Sequence, residues 1–278
     1  MFRKIYSNTI KNLFRSPTFW MILILTLLNT FIHSKLGFLV GDDSPDFSLS
    51  YFLYLKLVPN ALALWTMGYG IPLFTVISTM LAVNGDYRNG FYEIEKAGNV
   101  SPLTYFTGRL SAIISVNFVM LTVTSYFAVY SYCITRGLDG LTVNELISDS
   151  VIRISRLIVT CELPILLFYI GLTYMVTAIL KNGRLGVIVG CVYALVMFAL
   201  RTDLSYVMGI NTFSKYFWPF KINAYQYLNF YDTDYIDPMI YGYMVEPVRE
   251  IVTWILVFVF LSIACYVTCY VCTRKRQI

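Results

Sequence analysis

The chain has 278 residues, of which 58% are hydrophobic and 13% charged, with a mean hydropathy of +0.65 and a formal net charge of +5. A chain this apolar exposes too much hydrocarbon-like surface to stay dissolved, and several uncharged runs are long enough to cross a bilayer core of about 30 Å. The composition excludes a soluble globular protein and points to one all-α integral membrane domain over 1–278, with no part large enough for a conventional soluble domain.

Residues 1–16 place Arg3, Lys4, Lys11 and Arg15 ahead of an apolar run, the layout of a secretory signal, but no small-residue cleavage pattern follows Phe31. Phe2, Tyr6, Ile10, Leu13 and Phe14 recur instead at helical spacing, with Lys4, Lys11 and Arg15 off that stripe. The pattern predicts an uncleaved amphipathic elbow helix lying along the membrane surface. Ser16 as an N-cap and Pro17 at the first helical position then start a new helix in a new direction. Apolar runs predict six transmembrane helices near 18–40, 62–83, 104–135, 154–180, 185–205 and 251–273. Gly68, Gly70 and Pro72 punctuate the second of these, where close helix packing is expected. His33, the only histidine, is expected at the interface of the first.

Between the second and third spans lies a short charged stretch, 84–109. Asn84 to Gly90 is expected to break the second span, residues 91–97 to form a short helix, Gly98-Asn99 to end it, and Ser101-Pro102 to launch the third span. Phe91, Ile94 and Ala97 share one side of that helix, while Glu93 and Lys96 present charge elsewhere. Periodicity is equally consistent with a solvated loop packed under the bundle and with an apolar ridge pressed on a partner.

Six spans put both termini on one side, and that side holds Arg3, Lys4, Lys11, Arg15, Arg88, Lys96, Arg109, Lys181, Arg184, Arg274, Lys275 and Arg276 against only Asp86, Glu93 and Glu95. Short cytoplasmic loops retain Lys and Arg, so both termini are expected in the cytoplasm of a multi-pass cell (plasma) membrane protein. The basic balance then reports orientation and contact with anionic membrane lipid, and nucleic acid is not expected as a partner.

Farther along, Glu162 lies inside the fourth span, where an ionised carboxylate costs about 2.5–3.5 kcal/mol on insertion scales and needs a partner or a proton. Pro164 frees a carbonyl one turn earlier, which predicts a kinked, polar region. Glu162 fits both a lining role in a transport route and a structural hydrogen bond. The external segment 206–250 is crowded with Tyr206, Tyr216, Phe217, Trp218 and further aromatics, which favour the membrane interface and serve either as an anchor belt or as a gate. Cys265, Cys269 and Cys272 fall on one helical face without nearby His or acidic residues, so packing is expected there and no metal.

The run Arg88-Asn89-Gly90-Phe91-Tyr92-Glu93, followed by Ser101-Pro102 and Tyr105-Phe106-Thr107-Gly108-Arg109, resembles the cytoplasmic loop of type-2 ATP-binding-cassette (ABC) exporter permeases, where it forms the coupling helix. The chain departs from that pattern in Phe91-Tyr92, where a smaller residue is common, and in Arg109, where Lys is usual. The resemblance extends to the order of elbow helix, six spans and a long last external connection, which in similar permeases holds short re-entrant helices. It implies a transport subunit that exports an amphipathic substrate (peptide, drug, lipid or glycolipid), or extracts it from the membrane, by alternating access. It further implies a second permease copy or a homologous permease, and cytoplasmic ABC ATPase subunits. The chain has no G-x-x-x-x-G-K-[ST] phosphate cradle, so ATP and Mg are expected on the partner ATPase, with no cofactor in this chain. Under this reading Arg88, Phe91, Glu93 and Ile94 contact the ATPase, and Glu162, Tyr216, Phe217 and Trp218 line the substrate route or its gate. H-E-x-x-H and G-x-S-x-G are absent, which argues against an enzyme. A secondary transporter or channel using Glu162 is the alternative, although no inverted repeat divides the spans.

Overall fold

The structure, a computed structural model, describes residues 1–39, 70–88, 100–135, 155, 158–159, 163–201 and 248–275. These form seven helices and no strand: α1 (Phe2–Arg15), α2 (Pro17–Leu39), α3 (Gly70–Arg88), α4 (Pro102–Thr135), α5 (Leu163–Leu180), α6 (Gly183–Arg201) and α7 (Val248–Lys275). Among the described residues Pro102–Phe127, Leu163–Leu180 and Ile255–Arg274 are long and apolar enough to cross a membrane, and Phe2–Arg15 with Pro17–Ile32 makes a fourth if that bent pair is one span. Gly70–Asn84 and Gly183–Val196 are shorter apolar helices. The protein is a helical membrane protein with three to four such spans in its described part.

Contacts between helices reveal their directions. Thr177 of α5 lies against Gly186 of α6 and Thr173 against Gly190, so the contacts climb α6 as they descend α5, and the two run antiparallel. Asn84 meets Gly183 and Val76 meets Gly190, which makes α3 antiparallel to α6 as well. Phe168 packs on Phe258, with ring centroids 5.5 Å apart, and Gly171 packs on Cys265, so α5 and α7 run parallel. Phe106 reaches Tyr174 near the end of α5, at 5.7 Å, while Tyr126 Oη is 3.3 Å from Ser155 Oγ ahead of its start, which sets α4 antiparallel to α5. Helices α3, α5 and α7 thus point one way and α4 and α6 the other. The N-terminal helix α1 and the α5–α6 turn share one end of the bundle with the start of α4 and the end of α7. Exposed Arg3, Lys4, Lys11, Arg15, Lys181, Arg184 and Arg274 sit at that end.

Phe19, Phe74, Ile113, Leu121, Ile170 and Cys269 interleave in one core that joins most of the helices. Helices α2, α6 and α7 turn large apolar side chains such as Ile24, Val192 and Phe260 outward, as a bilayer allows. Span hydroxyls mostly bond the carbonyl one turn back, as Thr26 does to Ile22 at 2.8 Å, Ser125 to Leu121 at 2.7 Å and Ser262 to Phe258 at 2.7 Å. That habit satisfies them without water.

Two expectations are refined. The elbow helix forms and turns into α2 through 72°; the face it buries against the bundle is Ile5, Thr9 and Leu13, of which Leu13 alone belongs to the expected stripe. The Phe2, Tyr6, Ile10 and Phe14 edge lies to one side of that face, with Phe2 and Phe14 each 44% exposed. A polar residue can occupy the buried stripe because Thr9 donates to the Ile5 carbonyl at 2.9 Å. Within the 84–90 stretch expected to break the second span, α3 continues to Arg88, and Asn89 and Gly90 lie outside the described residues. A glycine inside a helix costs about 1 kcal/mol, and this turn is braced by Asn84 packed against Gly183. Pro164 lies in the first turn of α5, where proline is tolerated, and the kink expected ahead of it falls on 160–162, outside the described residues.

Candidate functional site

The described residues on either side of 89–99 make up a junction at the basic end of the bundle. Ser101 caps α4: its Oγ accepts the Thr104 amide at 3.2 Å and lies 2.8 Å from Thr104 Oγ1. Pro102 follows at the first helical position, where its missing N–H leaves nothing unpaired. The launch of α4 is therefore fixed by local chemistry before any neighbour is met.

Its first two turns then engage three other helices. Gly108 is the seat for α1, since a Cβ there would come within 3.2 Å of the Ile5 side chain and 3.4 Å of the Phe2 carbonyl. Arg109, only 6% exposed, lies beside that seat. It donates from Nη2 to Tyr105 Oη at 2.8 Å, from Nε to the same oxygen at 3.2 Å, and from Nη1 to Thr9 Oγ1 at 3.4 Å. A guanidinium so buried costs several kcal/mol unless its donors are used. Thr9 spends its proton on Ile5, so its oxygen is an acceptor facing α4. Phe106 completes the junction by touching Tyr174 of α5 at 5.7 Å and Tyr270 of α7 at 6.0 Å.

The other flank of the loop, α3, is held by α6. Asn84 rests on Gly183 directly after a tight turn in which Lys181 takes a left-handed φ of 55° and Asn182 Oδ1 accepts the Arg184 amide at 3.0 Å. Deeper in the bundle, Ser78 Oγ on α3 donates toward Asn117 Oδ1 of α4 at 3.0 Å and toward its own Thr75 carbonyl at 3.1 Å, sharing one proton. Thr75, Thr79, Thr173 and Thr177 break the back-bonding habit of the other hydroxyls: each is fully buried with no hydrogen-bond partner for its oxygen. Thr173 and Thr177 are turned toward Gly190 and Gly186 of α6.

Of the site residues expected from sequence, Arg88 is the last residue of α3 and its side chain lies outside the described residues, as do Phe91, Glu93, Ile94, Glu162, Tyr216, Phe217 and Trp218. The short helix of 91–97 and the external aromatic segment lie outside them too. Cys265 and Cys269 are buried, Cys265 against Gly171. Among the described residues no three His, Cys, Asp or Glu are placed to hold a metal ion. The Arg109–Tyr105–Thr9 node was not foreseen in this role, because a base at a span end reads as a cytoplasmic flank. Its signal was the Gly108-Arg109 pair, seven residues after the Ser101-Pro102 launch.

The junction ties α4, which follows residues 89–101, to α1, α5 and α7, and α3, which precedes them, to α6. Searches of protein-family models, curated proteins and solved structures find no match to this chain.

Proposed function

We propose that this chain is the permease subunit of an ABC exporter, in which the 84–103 loop receives the stroke of a separate ATPase and the bundle converts it into alternating access for an amphipathic substrate. The observation that carries this reading is the bracing of the loop's exit. Ser101 caps α4, and within eight residues Phe106, Gly108 and Arg109 engage α5, α7 and α1. A push on a loop joined to a free helix would dissipate in that helix; a push here moves several helices together. The alternating directions of α3 to α7 support six spans, and the bases gathered at one end support cytoplasmic termini. In this mechanism Arg88 and Glu93 make ionic contacts to the ATPase, and Phe91 and Ile94 form the ridge it presses. ATP and Mg belong to that partner, and a second permease subunit closes the route.

The test is co-purification with a cassette ATPase, followed by ATP hydrolysis and uptake assays in sealed vesicles across peptide, drug and lipid substrates. Substrate-stimulated hydrolysis is expected, falling about tenfold or more with Glu93→Arg, since a like charge set against a complementary patch costs several kcal/mol. Transport at the wild-type rate by Glu93→Arg with the ATPase bound normally would overturn the coupling assignment. Transport driven by an ion gradient in the absence of any ATPase would overturn the whole reading.

A further inference from the structure

The outer face of α1 carries a charge pattern that the helix itself does not need. Lys4, Lys11 and Arg15 fall within about 20° of a single line at 100° per residue, over a length of ~16 Å. All three are exposed, and that line runs opposite the docked Ile5, Thr9 and Leu13. No acid occurs anywhere in Phe2–Arg15. Arg3 and Lys4 sit in the first turn, where the helix dipole disfavours cations, and Lys11 repels Arg15 at i,i+4. An external anion relieves both costs.

Next to the stripe is an apolar strip. Trp20, Ile24 and Leu28 are exposed along one line of α2, at spacing i, i+4 and i+8. Trp20 Nε1 donates to the Phe14 carbonyl at 2.7 Å, and its ring packs on Phe14 and Phe19, so the corner between the charged stripe and the apolar strip is fixed. A ligand with an anionic head and hydrocarbon tails matches this corner in both charge and polarity.

We propose that this corner is a docking surface for anionic phospholipid, with phosphates on Lys4, Lys11 and Arg15 and acyl chains along Trp20, Ile24 and Leu28. The site does not depend on an ATPase partner, so it stands or falls separately from the transport reading.

The test uses the full chain in nanodiscs of phosphatidylcholine with an equimolar share of phosphatidylglycerol, extracted gently and assayed by mass spectrometry for retained lipid. Phosphatidylglycerol should be enriched over phosphatidylcholine, less so at high salt. The enrichment should fall about fivefold for each of Lys4→Gln, Lys11→Gln and Arg15→Gln, and the charge-keeping set Lys4→Arg, Lys11→Arg and Arg15→Lys should retain it. The single variants serve if the triple neutral variant does not fold. Three results would overturn the proposal: equal retention of both lipids by the wild type, enrichment that survives the neutral variants, or enrichment abolished by inorganic phosphate at low concentration, which would mark a free-anion site. Neutral variants that keep the lipid but lose a bound ATPase subunit would show a protein dock and overturn it as well.

Discussion

Gly190→Ala is the sharpest test of how α6 is seated. A Cβ at this position would lie 2.8 and 2.9 Å from the two methyls of Val76 and 2.9 Å from Thr173 Oγ1. Carbon atoms in good contact are about 3.5–4.0 Å apart, so the deficit is most of an ångström, on two helices at once. Thr173 can yield, because rotating its hydroxyl toward the carbonyl one turn back gives it a hydrogen bond it lacks. Val76 cannot, because both of its branches are engaged and a helical valine has one strongly preferred rotamer. Overpacking of this kind costs about 1–3 kcal/mol, against a gain of up to ~1 kcal/mol from alanine's higher helix propensity. The expected net is about 1–2 kcal/mol of destabilisation, read as a lower thermal midpoint of the purified protein in nanodiscs. Val76→Ala removes both methyls, so Gly190→Ala made in that background should be nearly neutral or stabilising, with a coupling of about 1–2 kcal/mol in the double-mutant cycle. If Gly190→Ala melts like the wild type, or if the two substitutions simply add, α6 does not pack on α3 as described.

Four other substitutions probe the junction and the α5–α6 turn. Arg109→Lys keeps the charge but cannot bridge Tyr105 and Thr9 from one planar group; a loss of about 1–3 kcal/mol is expected, together with faster protease cleavage of the α1 segment. Thr9→Val removes the acceptor for Arg109 Nη1 while preserving shape, and should cost less than Arg109→Lys in the same thermal assay; an equal or larger loss would contradict the weak 3.4 Å bond assigned to it. Lys181→Gly relieves a left-handed φ of 55° at an exposed turn and should raise the thermal midpoint by up to ~1 kcal/mol equivalent, whereas Asn182→Ala removes the cap on Arg184 and should lower it by about 1 kcal/mol.

Legibility from sequence followed how local the cause was. The predicted run 18–40 matches α2 at Pro17–Leu39, and 251–273 lies inside α7 at Val248–Lys275, because a helix in lipid is set by the length of its own apolar stretch. Ser16-Pro17 and Ser101-Pro102 marked helix starts because a cap and a proline act on the next turn alone. Where a neighbour decides, pattern misled. The stretch 84–90 reads as a breaker from Asn84 on, yet α3 continues to Arg88 with Asn84 braced on Gly183, a residue ninety-nine positions away. In α1 the hydrophobic stripe runs through Phe2, Tyr6, Ile10, Leu13 and Phe14, while the face docked on the bundle is Ile5, Thr9 and Leu13, which shares only Leu13 with it.

By itself, then, the sequence determined the solvent: its apolar content and run lengths require helices in a bilayer, since hydrogen bonds and hydrophobic length are satisfied segment by segment. It also determined where charge concentrates, because Lys and Arg are read residue by residue. Tertiary structure alone decided which faces meet. Arg109 counts in sequence as one more base at a span end; only the approach of α1 to Gly108, allowed by the missing Cβ, carries Thr9 to it and turns a flanking charge into a buried tie. Likewise Gly183, Gly186 and Gly190 are ordinary small residues until α3 and α5 fill the space that their absent side chains leave. Such contacts depend on the shapes of two helices at once, and no periodicity within one helix encodes the other.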